Sequence, residues 1–386
     1  MRGVLYHGRP IFCFFFSVGL LSCSPAPKKI TKYVALGDSL TAGYQNDCLV
    51  EDFQRYSFPS LIAAQLGISD FRQPLVSRPG IPSVLQIISI EPLDFWREEG
   101  FGRSLYPDFP APYDNLGIPG STLYSALNPN DLEARGFNPF YQDILRGKGN
   151  AINQALSLSP DLVTFWYGHN EILSAVTSGE VILGVTTFPL ETFARLFDEA
   201  LAKLSGSGAK IVVGNIMDLT EIPYVTHLPI YMKNPDNGDP LRNLAGDPMP
   251  YEGEDGPLSV GCHITLGGLG YIKHGDGIPE CMGGTGRPIP EDVILNQAEI
   301  LKLKRLISGY NEAIAKAAKK YGAVLIDFHW IFAEIRSKGF PVGGMIFSMD
   351  YPSGGLISSD GIHPTSLSQA FIANVFIREI NKDFGY

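Results

Sequence analysis

Near its N-terminus the chain carries the stretch Tyr33-Val34-Ala35-Leu36-Gly37-Asp38-Ser39-Leu40-Thr41-Ala42-Gly43. A short apolar run ends abruptly in Gly-Asp-Ser, and a helix-compatible segment follows. Such a pattern reads as a strand, a tight turn and the start of a helix. Gly permits unusual dihedrals at the turn, and Asp or Ser caps the helix. Ser39 has two readings here: a polar turn residue, or a nucleophile raised at the end of a strand. Taken alone the stretch favours the turn, so the rest of the chain has to decide.

Further apolar runs alternate with helical patterns. Asp161–Tyr167 follows a helix-like segment over 151–158 and the break at Pro160. Lys210–Gly214 follows a periodic stretch, Glu191–Leu204, and Ala323–Asp327 follows the longest predicted helix, Gln297–Tyr321. In that helix Ile300, Leu303, Ile307, Tyr310, Ile314 and Ala317 fall on one face. A last helix is predicted over Ser366–Ile380. Buried strands separated by helices indicate an α/β fold with a mostly parallel sheet covered on both faces. Reactive groups then belong beyond the carboxyl ends of the strands.

Three other segments carry chemistry at such positions. Near the C-terminus, Ser359-Asp360-Gly361-Ile362-His363-Pro364 spaces a carboxylate and an imidazole three residues apart in a turn. Asp360 can then hold one ring nitrogen of His363 and leave the other free as a base. A serine hydroxyl is a weak nucleophile without such a base. Acyl transfer also needs donors for a developing oxyanion. Asn170, in Gly168-His169-Asn170-Glu171, offers a side-chain amide. Gly120, in Asn115-Leu116-Gly117-Ile118-Pro119-Gly120, offers an unobstructed backbone N–H, and the N–H of Ser39 supplies a third donor. Each residue also has an ordinary reading as a turn or cap residue.

Together and in this order, the four segments resemble the SGNH (GDSL-type) hydrolases. "GDSL" is Gly37–Leu40, "NLGIPG" ends at Gly120, "GHNE" holds Asn170, and "DGIH" holds Asp360 and His363. The resemblance implies a three-layer α/β/α, flavodoxin-like fold with a five-stranded sheet. It also implies ester or thioester hydrolysis with no metal or other cofactor. Ser39, Asp360 and His363 would be catalytic, and Ser39, Gly120 and Asn170 would form the oxyanion site. Glu171 stands where the family has Asp, a change expected to affect local packing only. No Gly-x-Ser-x-Gly surrounds Ser39, so the nucleophile elbow of α/β hydrolases is a poor match. His169 is expected to pack or be solvated. Asp327 and His329 could be mistaken for triad members, but the local spacing of Asp360 to His363 is preferred.

Two long segments break the alternation: 75–114, rich in Pro and aromatics, and 222–290, rich in Gly, Pro and Asp. Loops of this length act as lids or substrate-shaping insertions, or decorate the surface. The hydrolase domain is expected to span 33–386 with these two insertions.

The remaining features bear on location. Arg2 and Arg9 precede an apolar stretch, Ile11–Leu21, which reads as a signal-peptide core over residues 1–22. Leu20-Leu21-Ser22-Cys23 resembles a bacterial lipobox, so Cys23 is expected to be acylated and to anchor the chain through a tether over 23–32. This places the protein in the bacterial cell envelope, on the outer membrane or the periplasmic face. In an oxidising compartment Cys262 and Cys281 are expected to pair, leaving Cys48 as the odd thiol. A zinc site from Cys262, His263, His274 and Cys281 fits no compact ligand spacing. The formal net charge of −10 and the lack of a Lys/Arg cluster argue against nucleic acid. Lipid or other small-molecule esters are the expected substrates. A carbohydrate O-acetyl esterase, or a non-catalytic lipoprotein that binds a glycan or partner, stays open.

Overall fold

The computed structural model describes residues 29–128, 138–234 and 237–385. The signal peptide, Cys23 and most of the tether lie outside the described residues. Five strands form one parallel sheet: β1 Tyr33–Gly37, β2 Asn115–Gly117, β3 Leu162–Trp166, β4 Lys210–Gly214 and β5 Val324–Ile326. Their spatial order is β5-β4-β3-β1-β2, the flavodoxin-like arrangement. The chain direction across the sheet reverses beside β1, where such sheets open a crevice at the strands' carboxyl ends. Register makes three strands finish level: Gly37 pairs with Gly117 on one side and with Trp166 on the other. The segments after β1, β2 and β3 therefore emerge side by side.

The helices used below are α1 Ser39–Ala42, α2 Phe58–Gln65, α3 Asn170–Ser178, α4 Leu190–Ser205, α5 Gln297–Tyr321, α6 Phe328–Lys338 and α7 Ser366–Phe384. Adjacent residues of a strand point to opposite faces, so Phe165 and Trp166 report on both layers. Trp166 meets Phe58 of α2, Phe328 of α6 and Phe376 of α7. Phe165 meets Phe197 of α4, whose Phe193 stacks on Tyr310 of α5 at 4.0 Å. Two helical layers thus enclose the sheet. Helix α5 has the predicted bounds, set by a capping box between Asn296 and Glu299 and by left-handed Gly322 at its end. Strand β2 escapes sequence reading because three residues are too few to show a period.

The two insertions join into a second, smaller core. Met232, Tyr251, Ile264 and Ile289 of the second insertion are buried there together with Leu93 of the first. Leu93 belongs to a hairpin, Leu85–Ile90 with Leu93–Arg97, whose Asp94 also pairs with Lys273 at 2.6 Å. His263–Ile264 pairs antiparallel with Ile294–Leu295, so the added unit runs a few residues past 290. The expected Cys262–Cys281 disulfide is absent. Both thiols are free: Cys262 is buried with its Sγ 3.3 Å from Ser259 Oγ, whereas Cys281 is exposed on a separate turn. Cys48 is buried as well, which pushes its thiol up to about 12.

Candidate active site

The nucleophile turn is built by close approach. A Cβ on Gly37 would lie 2.0 Å from Thr41 Oγ1 and 2.7 Å from the Trp166 carbonyl, so only Gly fits where β1 turns into α1. Asp38 caps α1 by accepting the Leu40 N–H at 3.0 Å. Helix α1 is one turn long and stops at Gly43, in the left-handed region at φ 80°. This places Ser39 just beyond β1, 7% exposed.

His363 reaches Ser39 from the far end of the chain. Its Nε2 lies 2.9 Å from Ser39 Oγ, and its Nδ1 lies 3.0 Å from Asp360 Oδ2. A carboxylate only accepts, so Nδ1 carries the proton and Nε2 accepts from the serine hydroxyl. Asp360 is fully engaged. Its Oδ1 accepts the N–H groups of Ile362 and His363, each at 2.8 Å, and its Oδ2 also accepts the Asp47 N–H at 2.8 Å. Burial alone would raise the carboxyl, but the His363 charge and these hydrogen bonds outweigh it and bring it down to about 2. Burial acts to lower His363, yet Asp360 prevails, helped by Asp38 and Asp47, and its pKa is raised above 6.5. The expectation for these three residues thus meets a continuous hydrogen-bonded chain.

Gly120 and Asn170 follow β2 and β3, the two neighbours of β1. Gly117 packs so closely under α1 that a Cβ would meet the Ala42 nitrogen at 2.4 Å. Asn115 ties the same strand down by donating to the Thr41 carbonyl at 3.0 Å. Gly120 is exposed and left-handed, φ 77°. Asn170 opens α3 and donates its amide to the Ser121 carbonyl at 2.9 Å, so it stands beside the Gly120 turn. Glu171 does more than alter packing. Its buried carboxylate accepts the Leu123 N–H at 2.6 Å and fixes the segment that follows Gly120.

Two residues with no chemistry assigned from sequence prove to be paired. Asp38 is fully buried, and its Oδ2 lies 3.0 Å from Nδ1 of buried His169. His169 therefore packs, as expected, while bracing the nucleophile turn. Asp327 and His329 stay apart from Ser39's partners. Asp327 caps α6 and accepts from Asn215 at 2.7 Å, and His329 Nδ1 is 3.2 Å from the Ile216 carbonyl. Asn46, Asp47, Tyr44 and Arg97 are contributors that sequence reasoning missed. No motif contains them, and only the fold brings Asp47 to Asp360, with Asn46, Tyr44 and Arg97 around it.

Among known proteins, the model of the GDSL-like lipase/acylhydrolase family matches residues 33–376. The chain belongs to that family and is a carboxylic ester hydrolase. Similar solved structures include an acetylxylan esterase from Geobacillus stearothermophilus, 12% identical, covering 92% of this chain and 98% of that one, with a TM-score of 0.41. An α/β-hydrolase enzyme from the metagenome of Lake Arreo, Spain, is 13% identical, with 90% and 94% covered and a TM-score of 0.39. A lipase/acylhydrolase from Enterococcus faecalis is 13% identical, with 92% and 96% covered and a TM-score of 0.35. No curated protein matches the chain.

Proposed function

We propose that the protein hydrolyses lipid-like esters through an acyl-enzyme on Ser39, while anchored to a bacterial envelope membrane by acylated Cys23. The observation that carries the mechanism is the unbroken chain Ser39 Oγ–His363–Asp360. Ser39 attacks the acyl carbon as His363 Nε2 takes its proton. Asp360 holds the imidazole and stabilises the imidazolium. The Ser39 and Gly120 N–H groups and the Asn170 amide receive the negative charge on the carbonyl oxygen. His363 then protonates the leaving alcohol, and water activated by the same nitrogen releases the acid.

The N-terminus and apolar residues on the hairpin support this substrate class. The Leu20–Cys23 sequence supports an acyl anchor, which brings the enzyme to a lipid surface. The hairpin exposes Ile88, Ile90 and Trp96. None of the helices in the described residues is long and apolar enough to cross a membrane. An acyl-length profile on the mature protein tests the reading. Rising activity on longer chains supports it, whereas a flat profile with high release of acetate from acetylated glycan replaces it with the O-acetyl esterase.

A further inference from the structure

The turn at Asn46–Asp47 is unusual and touches Asp360, the carboxylate that orients His363. Gln45 and Cys48 exchange both backbone hydrogen bonds at 3.1 Å, which closes a two-residue hairpin connection. Asn46 and Asp47 are both left-handed, with φ 55° and 49°. Such connections favour Asn followed by Gly, because glycine takes the second position without a steric cost. Here an Asp occupies it, and its side chain is fully used. The carboxylate accepts the Tyr44 hydroxyl at 2.9 Å on Oδ1 and forms an ion pair with Arg97 on Oδ2. Arg97 also donates to the carbonyls of Ser83 and Asp47. Arg97 is the last residue of the hairpin in the first insertion.

The same turn is stitched to the loop of the triad. The Asn46 N–H donates to Ser358 Oγ, and the Ser359 N–H donates to Asn46 Oδ1, both at 3.0 Å. The Asp47 N–H reaches Asp360 Oδ2, the oxygen that also holds His363 Nδ1. The Tyr44 ring lies 4.8 Å from the His363 ring.

We propose that Arg97 and Asp47 are positioning residues: the first insertion clamps the Asn46–Asp47 turn so that its N–H fixes Asp360, and through it the His363 ring. The proposal rests on the reading of Ser39, His363 and Asp360 as the triad. It gives the hairpin a task in catalysis besides any contact with substrate.

The decisive variant is Asp47→Gly. It keeps the backbone N–H and suits the left-handed turn better than Asp, so a purely local turn role predicts unchanged or raised stability and unchanged kinetics. The clamp predicts kcat lower by about ten- to a hundredfold, with KM for p-nitrophenyl butyrate within about twofold and the melting temperature retained. Arg97→Met should repeat the kcat loss, and Arg97→Lys should recover part of it. Wild-type kcat in both Asp47→Gly and Arg97→Met overturns the proposal. A rise in KM alone overturns it too, because it would make the hairpin a substrate contact. Ser39→Ala is measured alongside. If Ser39→Ala is inactive while the clamp variants are normal, only the clamp falls. If Ser39→Ala is fully active, the triad reading falls with it.

Discussion

The carboxyl edge of the sheet and the added unit built from the insertions are organised by opposite rules. At the edge, each reactive group sits in a motif of a few residues: Gly37–Leu40 for the nucleophile, Asp360–His363 for the base and the carboxylate that orients it. The geometry within each motif is local. Asp360 accepts the N–H of the residue three positions on, and Asp38 that of the residue two positions on. The added unit has no such motif. Its core assembles Leu93 with Met232, Tyr251, Ile264 and Ile289, residues brought together by tertiary structure alone. Chemistry can therefore be written in short segments, while the support for that chemistry is spread through the fold.

Removing chemistry at the edge should have the largest effects. Ser39→Ala is expected to lower kcat by about six orders of magnitude in a p-nitrophenyl ester assay, as for the nucleophile of a serine hydrolase. Asp360→Asn should cost about four orders, because the amide favours the wrong imidazole tautomer. Asn170→Ala should cost about a hundred- to a thousandfold in kcat. It would also release the Ser121 carbonyl, so KM is the readout that separates oxyanion binding from loop support.

The pH profile sharpens the contrast. His363 works as a base only when neutral, and its pKa lies above 6.5 in the folded protein, so the acidic limb of kcat/KM should fall above pH 6.5. Asp360, Asp38 and Asp47 hold it there, and Asp360→Asn should move the limb to lower pH. The raised His363 pKa stabilises the fold below 6.5, and this contribution fades as pH rises through the folded-state value. The lowered Asp360 pKa stabilises it above 3.8 and is lost as pH falls toward 2.

Changes in the added unit's core should act on stability first. Ile264→Ala is expected to cost about 2–5 kcal/mol, read by urea titration. Its effect on kcat should stay far below that of Asp360→Asn. Some effect is expected, because the Tyr224 N–H donates to the Gly361 carbonyl at 2.8 Å and a Cβ on Gly361 would lie 2.6 Å from Leu266. Equal losses of kcat in Ile264→Ala and Asp360→Asn would break the distinction between the two regions.

Legibility in the sequence followed the same division. Strands β1 and β4 are apolar runs and helix α5 carries a helical period, so they can be read directly, and each triad segment is contiguous. Strand β2 is too short for a period, and the pairing of His263–Ile264 with Ile294–Leu295 is two residues long. Arg97 and Asp47 are fifty residues apart and look like ordinary surface charges until the hairpin folds back. Cys262 and Cys281, expected to pair across a Gly-rich loop, are both free thiols, one buried and the other exposed.

Everything above turns on Ser39 forming the acyl-enzyme. Reacting the mature protein with a fluorophosphonate and locating the adduct by peptide mass spectrometry checks this. The expected result is a single stoichiometric adduct on Ser39, loss of esterase activity in proportion to labelling, and no adduct in Ser39→Ala. An adduct on another residue, or full esterase activity in a protein labelled at Ser39, would rule Ser39 out as the nucleophile.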